Sequence, residues 1–461
     1  MTLIKSISGI RGTIGGEIHN ALTPLDIVLY TSSYAMFIKN QNHQNNNIII
    51  GRDARISGPM VSNIVSGTLI GCGFNVIDVG LSTTPTIEMA VILDKAAGGI
   101  IITASHNPKE WNALKLLNNK GEFLSEKNGN EVLSIAKNRK FIFDEIDYIG
   151  KYNFDDSYNK KHIEEILKLD LVKVNLIRNA KLKVVIDAVN SFGGVMVPEL
   201  LEKLGVECVK LYCDPNGNFP HNPEPLAENL HDISKLVISK KADFGIVVDP
   251  DVDRLAIVCE DGSMFGEEYT LVSIADYVLG HQQGNTVSNL SSSRALKDIA
   301  KKHGRLYEAS AVGEVNVIEM MKKNNAVIGG EGNGGIIYPS LHYGRDALVG
   351  IALFLSQIAE RNISVKALKE TLPSYFMSKN KIKLTPEINI EQILSSLKMR
   401  FQNEYSLTTL DGLKIDFDDG WVHLRKSNTE PIIRIYSEGI SKSKSDFYSE
   451  MLIKEINSLI K

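Results

Sequence analysis

The 461-residue sequence lacks a marked excess of either charge, a cysteine pattern, and any long apolar run. With 51 Lys+Arg against 55 Asp+Glu the formal net charge is −4, so no general electrostatic pull toward nucleic acid or an anionic membrane operates. Neither is expected as a partner, and any bound anion needs a local cationic cluster. Cys72, Cys208, Cys213 and Cys259 form no CxxC pair and no metal-like spacing, which argues against a zinc knuckle or a disulfide framework and fits a reducing compartment. No apolar stretch is long enough to span a bilayer, and the chain reaches Gly9 and Arg11 before any signal-like apolar segment develops. The expected location is therefore the cytoplasm.

What is present is ordinary globular material, 43% hydrophobic and 23% charged. At roughly 150 residues per domain the length suggests about three domains. Short apolar runs alternate with amphipathic ones: 47–50, 59–71, 76–79, 86–93 and 99–102 read as strand, helix, strand, helix, strand. The rhythm restarts at Lys183–Asp187, where Gly193-Gly194 reads as a turn before a helix over 196–204, strands at 206–211 and 244–248 following. After Gly262 it restarts again, with helices over 269–279 and 295–302 and strands over 285–289 and 327–329. Three α/β blocks with mainly parallel sheets result, whereas the tail from about Pro373, with strands over 413–417, 421–425 and 432–436 between helices, reads as a smaller α+β unit. The Asn/Gln tract at 41–47 reads as a surface loop.

Four strand-end loops carry chemistry. Thr103-Ala104-Ser105-His106-Asn107-Pro108 follows an apolar strand at the carboxyl end of a parallel sheet, where such sheets bind ligands. An ordinary turn competes with that reading; a Ser-His hydrolase does not, since no Gly-x-Ser-x-Gly elbow surrounds Ser105. Asp249-Pro250-Asp251-Val252-Asp253-Arg254 sets three carboxylates at alternate positions, an arrangement that repels itself unless a hard cation intervenes. An EF-hand would need Gly where Arg254 stands; a phosphatase with Asp249 as nucleophile and a solvated acidic turn also compete for this loop. The preferred reading is Mg²⁺ on the three carboxylates with Arg254 turned to a phosphate. Gly329–Gly335 holds Glu331 and Asn333, acceptor and donor for sugar hydroxyls, and has no Gly-Lys-Ser/Thr ending of a nucleotide loop. Arg425 to Arg434 places two Arg, one Lys and hydroxyls in one connection, which suits a phosphate cradle.

These four loops in this order resemble the α-D-phosphohexomutase family over essentially the whole chain. The resemblance implies three related α/β domains with mainly parallel mixed sheets plus a smaller C-terminal α+β domain, around a central cleft. The expected divisions are a phosphoserine domain over 1–150, a metal domain over 151–256, a sugar domain over 257–370 and a phosphate domain over 371–461. It implies that Ser105 is carried as phosphoserine and, with Asp249, Asp251 and Asp253, holds one Mg²⁺ per chain. The phosphoryl group would pass to a hexose phosphate, giving a hexose 1,6-bisphosphate that is intermediate and activator. Arg11 and Arg254 would brace it, and Lys115, in the segment matching the family's Asn-Gly-x-Lys with Ala113 for Gly, would act as general base or as a neighbouring cation. His106 joins this catalytic set. Glu331 and Asn333 would bind the sugar, and Arg425, Ser427, Asn428, Thr429 and Arg434 the phosphate.

One departure stands out: where many members read Gly-Glu-x-Ser-Gly-His, Asn333 replaces Ser and Gly335 replaces His, leaving His342 or His106 as candidate substitutes. The segments Ser8–Thr13, Gly330–Gly335 and Leu341–Asp346 look most like a bacterial branch assigned as phosphoglucosamine mutases. This implies interconversion of glucosamine 6-phosphate and 1-phosphate, ahead of UDP-N-acetylglucosamine and cell-wall synthesis, by a monomer or homodimer. Glucose or mannose phosphate is the competing substrate. A Mg-dependent phosphohydrolase and a non-catalytic Ca²⁺ or phosphosugar binder are the competing classes.

Overall fold

The computed structural model describes residues 2–6, 9–383, 389–426 and 432–460. Its first sheet comprises β1 (Leu3–Ser6), β2 (Gly9–Thr13), β3 (Asn47–Arg52), β4 (Asn75–Leu81), β5 (Gly98–Ile102), β6 (Trp111–Leu117) and β7 (Tyr152–Phe154), in the order β1-β2-β6-β5-β3-β4-β7. Strands β5, β3, β4 and β7 run parallel; β1, β2 and β6 close the other half antiparallel. Helices α1 (Pro24–Asn40), α2 (Gly58–Gly71), α3 (Thr84–Asp94) and α4 (Glu126–Asn138) cover this sheet. Its strands 48–50 and 100–102 are buried throughout, which is why they read as unbroken apolar runs.

Helices α5 (Ser157–Leu167) and α6 (Val174–Ala180) lead into a second sheet of β8 (Lys183–Asp187), β9 (Glu207–Leu211), β10 (Phe244–Val248) and β11 (Leu255–Cys259), ordered β11-β10-β8-β9 around α7 (Gly193–Leu204) and α8 (His231–Lys240). The glycine pair Gly193-Gly194, expected as a turn, is the first turn of α7: a Cβ on Gly194 would lie 2.3 Å from the Cys213 carbonyl, so the close approach of helix to loop is what demands glycine. The second sheet runs to Cys259, past the expected division at 256, because β11 pairs with β10 along its length, and β7 extends the first sheet past 150.

The third sheet, ordered β13-β12-β14-β15, is built from β12 (Asn285–Asn289), β13 (Tyr307–Ser310), β14 (Ala326–Glu331) and β15 (Gly335–Ile337), with α9 (Glu267–His281), α10 (Ala295–Lys302), α11 (Glu314–Lys323), α12 (Ala347–Arg361) and α13 (Val365–Glu370). One continuous hydrophobic core joins the second and third units through α9 and α12, so these two are packed as a single mass. The last sheet is antiparallel: β16 (Phe376–Lys383), β17 (Ser406–Thr408), β18 (Leu413–Phe417), β19 (Gly420–Lys426) and β20 (Ile432–Gly439), ordered β16-β20-β19-β18-β17 and packed on α14 (Ile390–Phe401) and α15 (Lys442–Ile460). The architecture is thus three α/β units and one smaller α+β unit.

Candidate active site

The carboxyl ends of β5, β10 and β14 meet, and the residues following each strand form one buried polar cluster. Ser105 Oγ donates to Asp249 Oδ2 at 2.8 Å across 144 residues of sequence. Ser105 itself is in the left-handed region (φ 49°), an uncommon conformation for a side-chain-bearing residue, and it is held there. Its amide donates to Thr103 Oγ1, whose hydroxyl donates to Asp53 Oδ2. Arg55, 1% exposed, anchors the loop: its guanidinium donates to the carbonyls of Ser105 (2.5 Å), Asn107 (2.6 Å), Pro108 (2.7 Å) and Trp111 (2.9 Å), and Nε to Asp53.

The acidic loop is pinned from three sides. Ser191 Oγ donates to the Pro250 carbonyl, Thr84 N to that of Asp251 and Ala347 N to that of Val252. Val252 has φ 62°, costly for a β-branched residue, and this turn brings Asp251 and Asp253 to the side of Asp249. The ligand atoms of the three aspartates lie within 4.8 Å of one another, and all three side chains are buried. Lys115 Nζ contacts Asp251 (2.7 Å) and Asp253 (3.5 Å), Thr84 Oγ1 donates to Asp251, and Arg345 donates to Asp253 (2.7 Å). Burial, then the Asp253 and Asp251 carboxylates, push the Asp249 carboxyl well above the usual carboxylate range. Burial would raise Asp251 too, but the Lys115 ammonium and the Thr84 hydroxyl hold it below that range. Asp251 Oδ1 and Asp253 Oδ1 are buried without a hydrogen-bond partner. Three carboxylates, two of them with an orphaned oxygen, converging beside a hydroxyl match the all-oxygen donor set of a hard divalent cation, so the residues fit Mg²⁺.

Around this cluster, Lys115 is raised above its ordinary range: burial opposes its charge, but Asp251 and Asp253 more than offset it. It stands here as an ammonium. His106 Nδ1 lies 3.3 Å from Ser105 Oγ, and burial, then the guanidinium groups of Arg254 and Arg11, hold its ring below the ordinary imidazole range. Arg11 donates to Asn107 Oδ1, and Arg254 to Glu224 Oε1 at 3.2 Å. Glu331 ends β14, so the turn is shorter than the glycine run suggested, and its carboxylate accepts from Asn289, Gly313 N and Arg345. Asn333 is half-buried, with Oδ1 accepting from Gly335 N. Arg425 and Arg434 sit directly opposite each other in the β19–β20 register, two like charges on one sheet face. Ser427, Asn428 and Thr429 lie outside the described residues.

Residues matching three of the four expected loops are therefore brought together, with Arg425 close enough to Glu331 to feel its charge. His342 is not among them. It is buried against Glu88 and Asp346, so it cannot stand in for a histidine on the sugar loop. The absence of that histidine has a steric reason: a Cβ on Gly335 would lie 2.4 Å from Arg345 Cδ, and Arg345 fills the space while tying Glu331, Glu314 and Asp253 together. Arg345, Arg55 and Thr84 went unassigned in the sequence. Arg345 had a signal in its place between a glycine and a helix-capping aspartate, whereas Arg55 and Thr84 had none.

Models of phosphoglucomutase/phosphomannomutase α/β/α domains I, II and III match residues 3–143, 160–262 and 266–376, and that of the C-terminal domain matches 380–454. The chain belongs to this family. It is an intramolecular phosphotransferase, a phosphohexomutase. The enzyme is 35% identical to a phosphoglucomutase/phosphomannomutase of Thermococcus kodakarensis over 456 residues, 98% of each chain. It is 30% identical to a phosphoglucosamine/phosphogalactosamine mutase of Sulfurisphaera tokodaii over 462 residues, again 98% of each. In fold it is similar to a Burkholderia thailandensis family member, at TM-score 0.84 and 24% identity, covering 98% of this chain and 96% of that one. Among the described residues no helix is long and apolar enough to cross a membrane.

Proposed function

We propose that this phosphohexomutase interconverts glucosamine 6-phosphate and glucosamine 1-phosphate, with Ser105 carried as phosphoserine and a 1,6-bisphosphate as intermediate. The observation that carries the reading is the 2.8 Å contact of Ser105 Oγ with Asp249 inside the buried triad. In the forward direction the P–Oγ bond of phosphoserine breaks as a bond forms from phosphorus to the free sugar hydroxyl, whose proton leaves to a base. The bisphosphate reorients and returns its other phosphoryl group to Ser105. Asp249, Asp251, Asp253 and a Ser105 phosphoryl oxygen would hold one Mg²⁺, which neutralises charge on the phosphoryl oxygens in flight. Arg11 and Arg254 brace the phosphoryl group, Arg254 exchanging Glu224 for phosphate. His106, neutral and beside Oγ, fits proton transfer; the ion pairs of Lys115 favour its role as a cation over that of a base. Glu331 and Asn333 face the sugar, and Arg425, Ser427, Asn428, Thr429 and Arg434 hold the phosphate that is not reacting. The units divide close to residues 150, 256 and 370, shifted by a few residues where β7 runs on to Phe154 and β11 to Cys259, and the enzyme works in the cytoplasm.

Relatives named as phosphoglucosamine mutases, at about 30% identity, support the amino sugar. The Thermococcus relative, at 35%, supports a second reading in which glucose or mannose phosphate is preferred. Direct competition between glucosamine 6-phosphate and glucose 6-phosphate decides: a higher kcat/KM for glucosamine phosphate is expected, and the opposite order overturns the substrate while leaving the mutase intact. Intact mass should show one phosphate, absent in Ser105→Ala, which should also lose turnover; an active Ser105→Ala enzyme would remove the phosphoserine from the mechanism.

A further inference from the structure

A second ligand-like cluster lies away from the reacting atoms, where α3, α5 and the start of α12 meet. His162 (α5), His342 and Asp346 are all buried, and one ligand atom of each lies within 4.8 Å of the others. His162 Nε2 is 3.0 Å and His342 Nε2 3.4 Å from Asp346 Oδ2, with the rings edge to face. Asp346 Oδ1 is already used, capping α12 by accepting from Leu348 N and Val349 N. The outer ring nitrogens point at oxygens of α3: His162 Nδ1 is 2.9 Å from Thr86 Oγ1, and His342 Nδ1 is 3.5 Å from Glu88 Oε2.

Hydrogen bonding of the rings to Asp346 leaves the Glu88 side of this cluster open. If both Nε2 atoms donate to Asp346, neutral His342 turns a bare Nδ1 toward Glu88, and His342 Nδ1 and both Glu88 oxygens are buried with no hydrogen-bond partner. A cation accepting both Nε2 lone pairs and Oδ2 would give every ring nitrogen a partner. Each Nδ1 then carries the ring hydrogen, His162 donating to Thr86 and His342 to Glu88, the outer-sphere arrangement that orients histidine on a metal.

We infer that His162, His342 and Asp346 form a second metal site, selective for a nitrogen-seeking divalent ion such as Zn²⁺ and distinct from the all-oxygen aspartate triad. Two imidazoles and one carboxylate suit Zn²⁺ and not Mg²⁺. An open groove of about 1150 Å³ has His342, Tyr343, Asp94 and Lys95 in its wall. The ion would fasten α5 to the third unit, while Thr86 and Glu88 of α3 hold the rings from the first.

The test uses the full chain, stripped with chelator and reloaded with Zn²⁺ in excess Mg²⁺, with bound zinc measured per chain. Wild type and Asp251→Asn should each keep one zinc. His162→Gln and His342→Gln should lose it, and Glu88→Gln should bind about ten- to a hundredfold more weakly. Co²⁺ in place of zinc should give wild type the visible absorption of tetrahedral, nitrogen-ligated cobalt, a readout that needs no variant to fold. Wild type without retained zinc, histidine variants that retain it fully, or a Co²⁺ spectrum of all-oxygen octahedral type would each overturn the site. None of these readouts depends on turnover, so a failure here is separable from a failure of the mutase mechanism.

Discussion

Arg55 touches no reacting atom, yet the position of Ser105 depends on it, and Arg55→Lys isolates that dependence. The guanidinium serves five acceptors, the carbonyls of Ser105, Asn107, Pro108 and Trp111 and the Asp53 carboxylate. An ammonium keeps the charge but has three donors and no planar fork, so at least two buried acceptors lose their partner. At about 1–3 kcal/mol each, the loop loses about 2–6 kcal/mol of support if it stays in place. If it relaxes instead, the left-handed Ser105 leaves its conformation and Oγ its 2.8 Å contact with Asp249. A displacement on the order of 1 Å costs about a hundredfold in rate. Steady-state kinetics should therefore show kcat down about a hundredfold with KM for the sugar phosphate little changed, because the sugar and distal phosphate are held by other loops. A Tm shift accompanied by kcat within about threefold of wild type, a barrier change under about 1 kcal/mol, would refute the positioning role and leave Arg55 as scaffold.

Arg425 and Arg434 should serve whichever phosphate is not reacting, so Arg425→Ala is expected to raise KM alike in the forward and reverse directions, by about 2–3 kcal/mol of lost charge-assisted binding; an effect in one direction only would show that the bisphosphate does not reuse this sheet face. Glu268 lies under the sugar-loop turn, and burial raises its carboxyl from 4.5 to about 8. The folded state thus binds this proton more tightly than the unfolded chain, and the associated stability, complete below the unfolded value, should fall as pH rises toward 8, at up to about 1.4 kcal/mol per pH unit. Glu268→Gln should flatten that slope in denaturant titrations taken at several pH values; an unchanged slope would assign it to other groups.

How much of this was legible depended on the range of each contact. Strands such as Lys183–Asp187 and Phe244–Val248 are buried on both faces and announce themselves as unbroken apolar runs, so the loops after them, and with them Ser105 and the aspartates, could be placed at strand ends. Helix α12 gave no such signal for the opposite reason. Every residue from 347 to 358 is buried, leaving no polar face to mark a helical period. The antiparallel return of β6 beside β5 was equally invisible, since nothing local distinguishes it from a parallel strand. Arg55 and Arg345 were missed because their partners lie 50 and 92 residues away, and an arginine beside a glycine or aspartate reads as a solvated loop until the fold closes on it.

The charges tied to the triad explain why the site sits at a seam between units. Asp249, Asp251, Asp253, Glu314 and Glu331 bring five carboxylates; Lys115, Arg254 and Arg345 bring three cations, linked to them by ion pairs of 2.7 to 4.0 Å. Carboxylates outnumber cations here, so a divalent cation bound at the triad would offset negative charge. Lys115 comes from the first unit, the aspartates from the second, and Arg345 with both glutamates from the third, so the charge balance around the triad is assembled from three units. In the proposed mechanism a phosphorylated Ser105 would carry about −2 more, with Arg11 and Arg254 bracing it. In that mechanism the opposed guanidinium groups of Arg425 and Arg434 in the fourth unit would hold the other phosphate of the bisphosphate. Turning the bisphosphate end for end would then exchange two phosphates between two cationic sites drawn from different units.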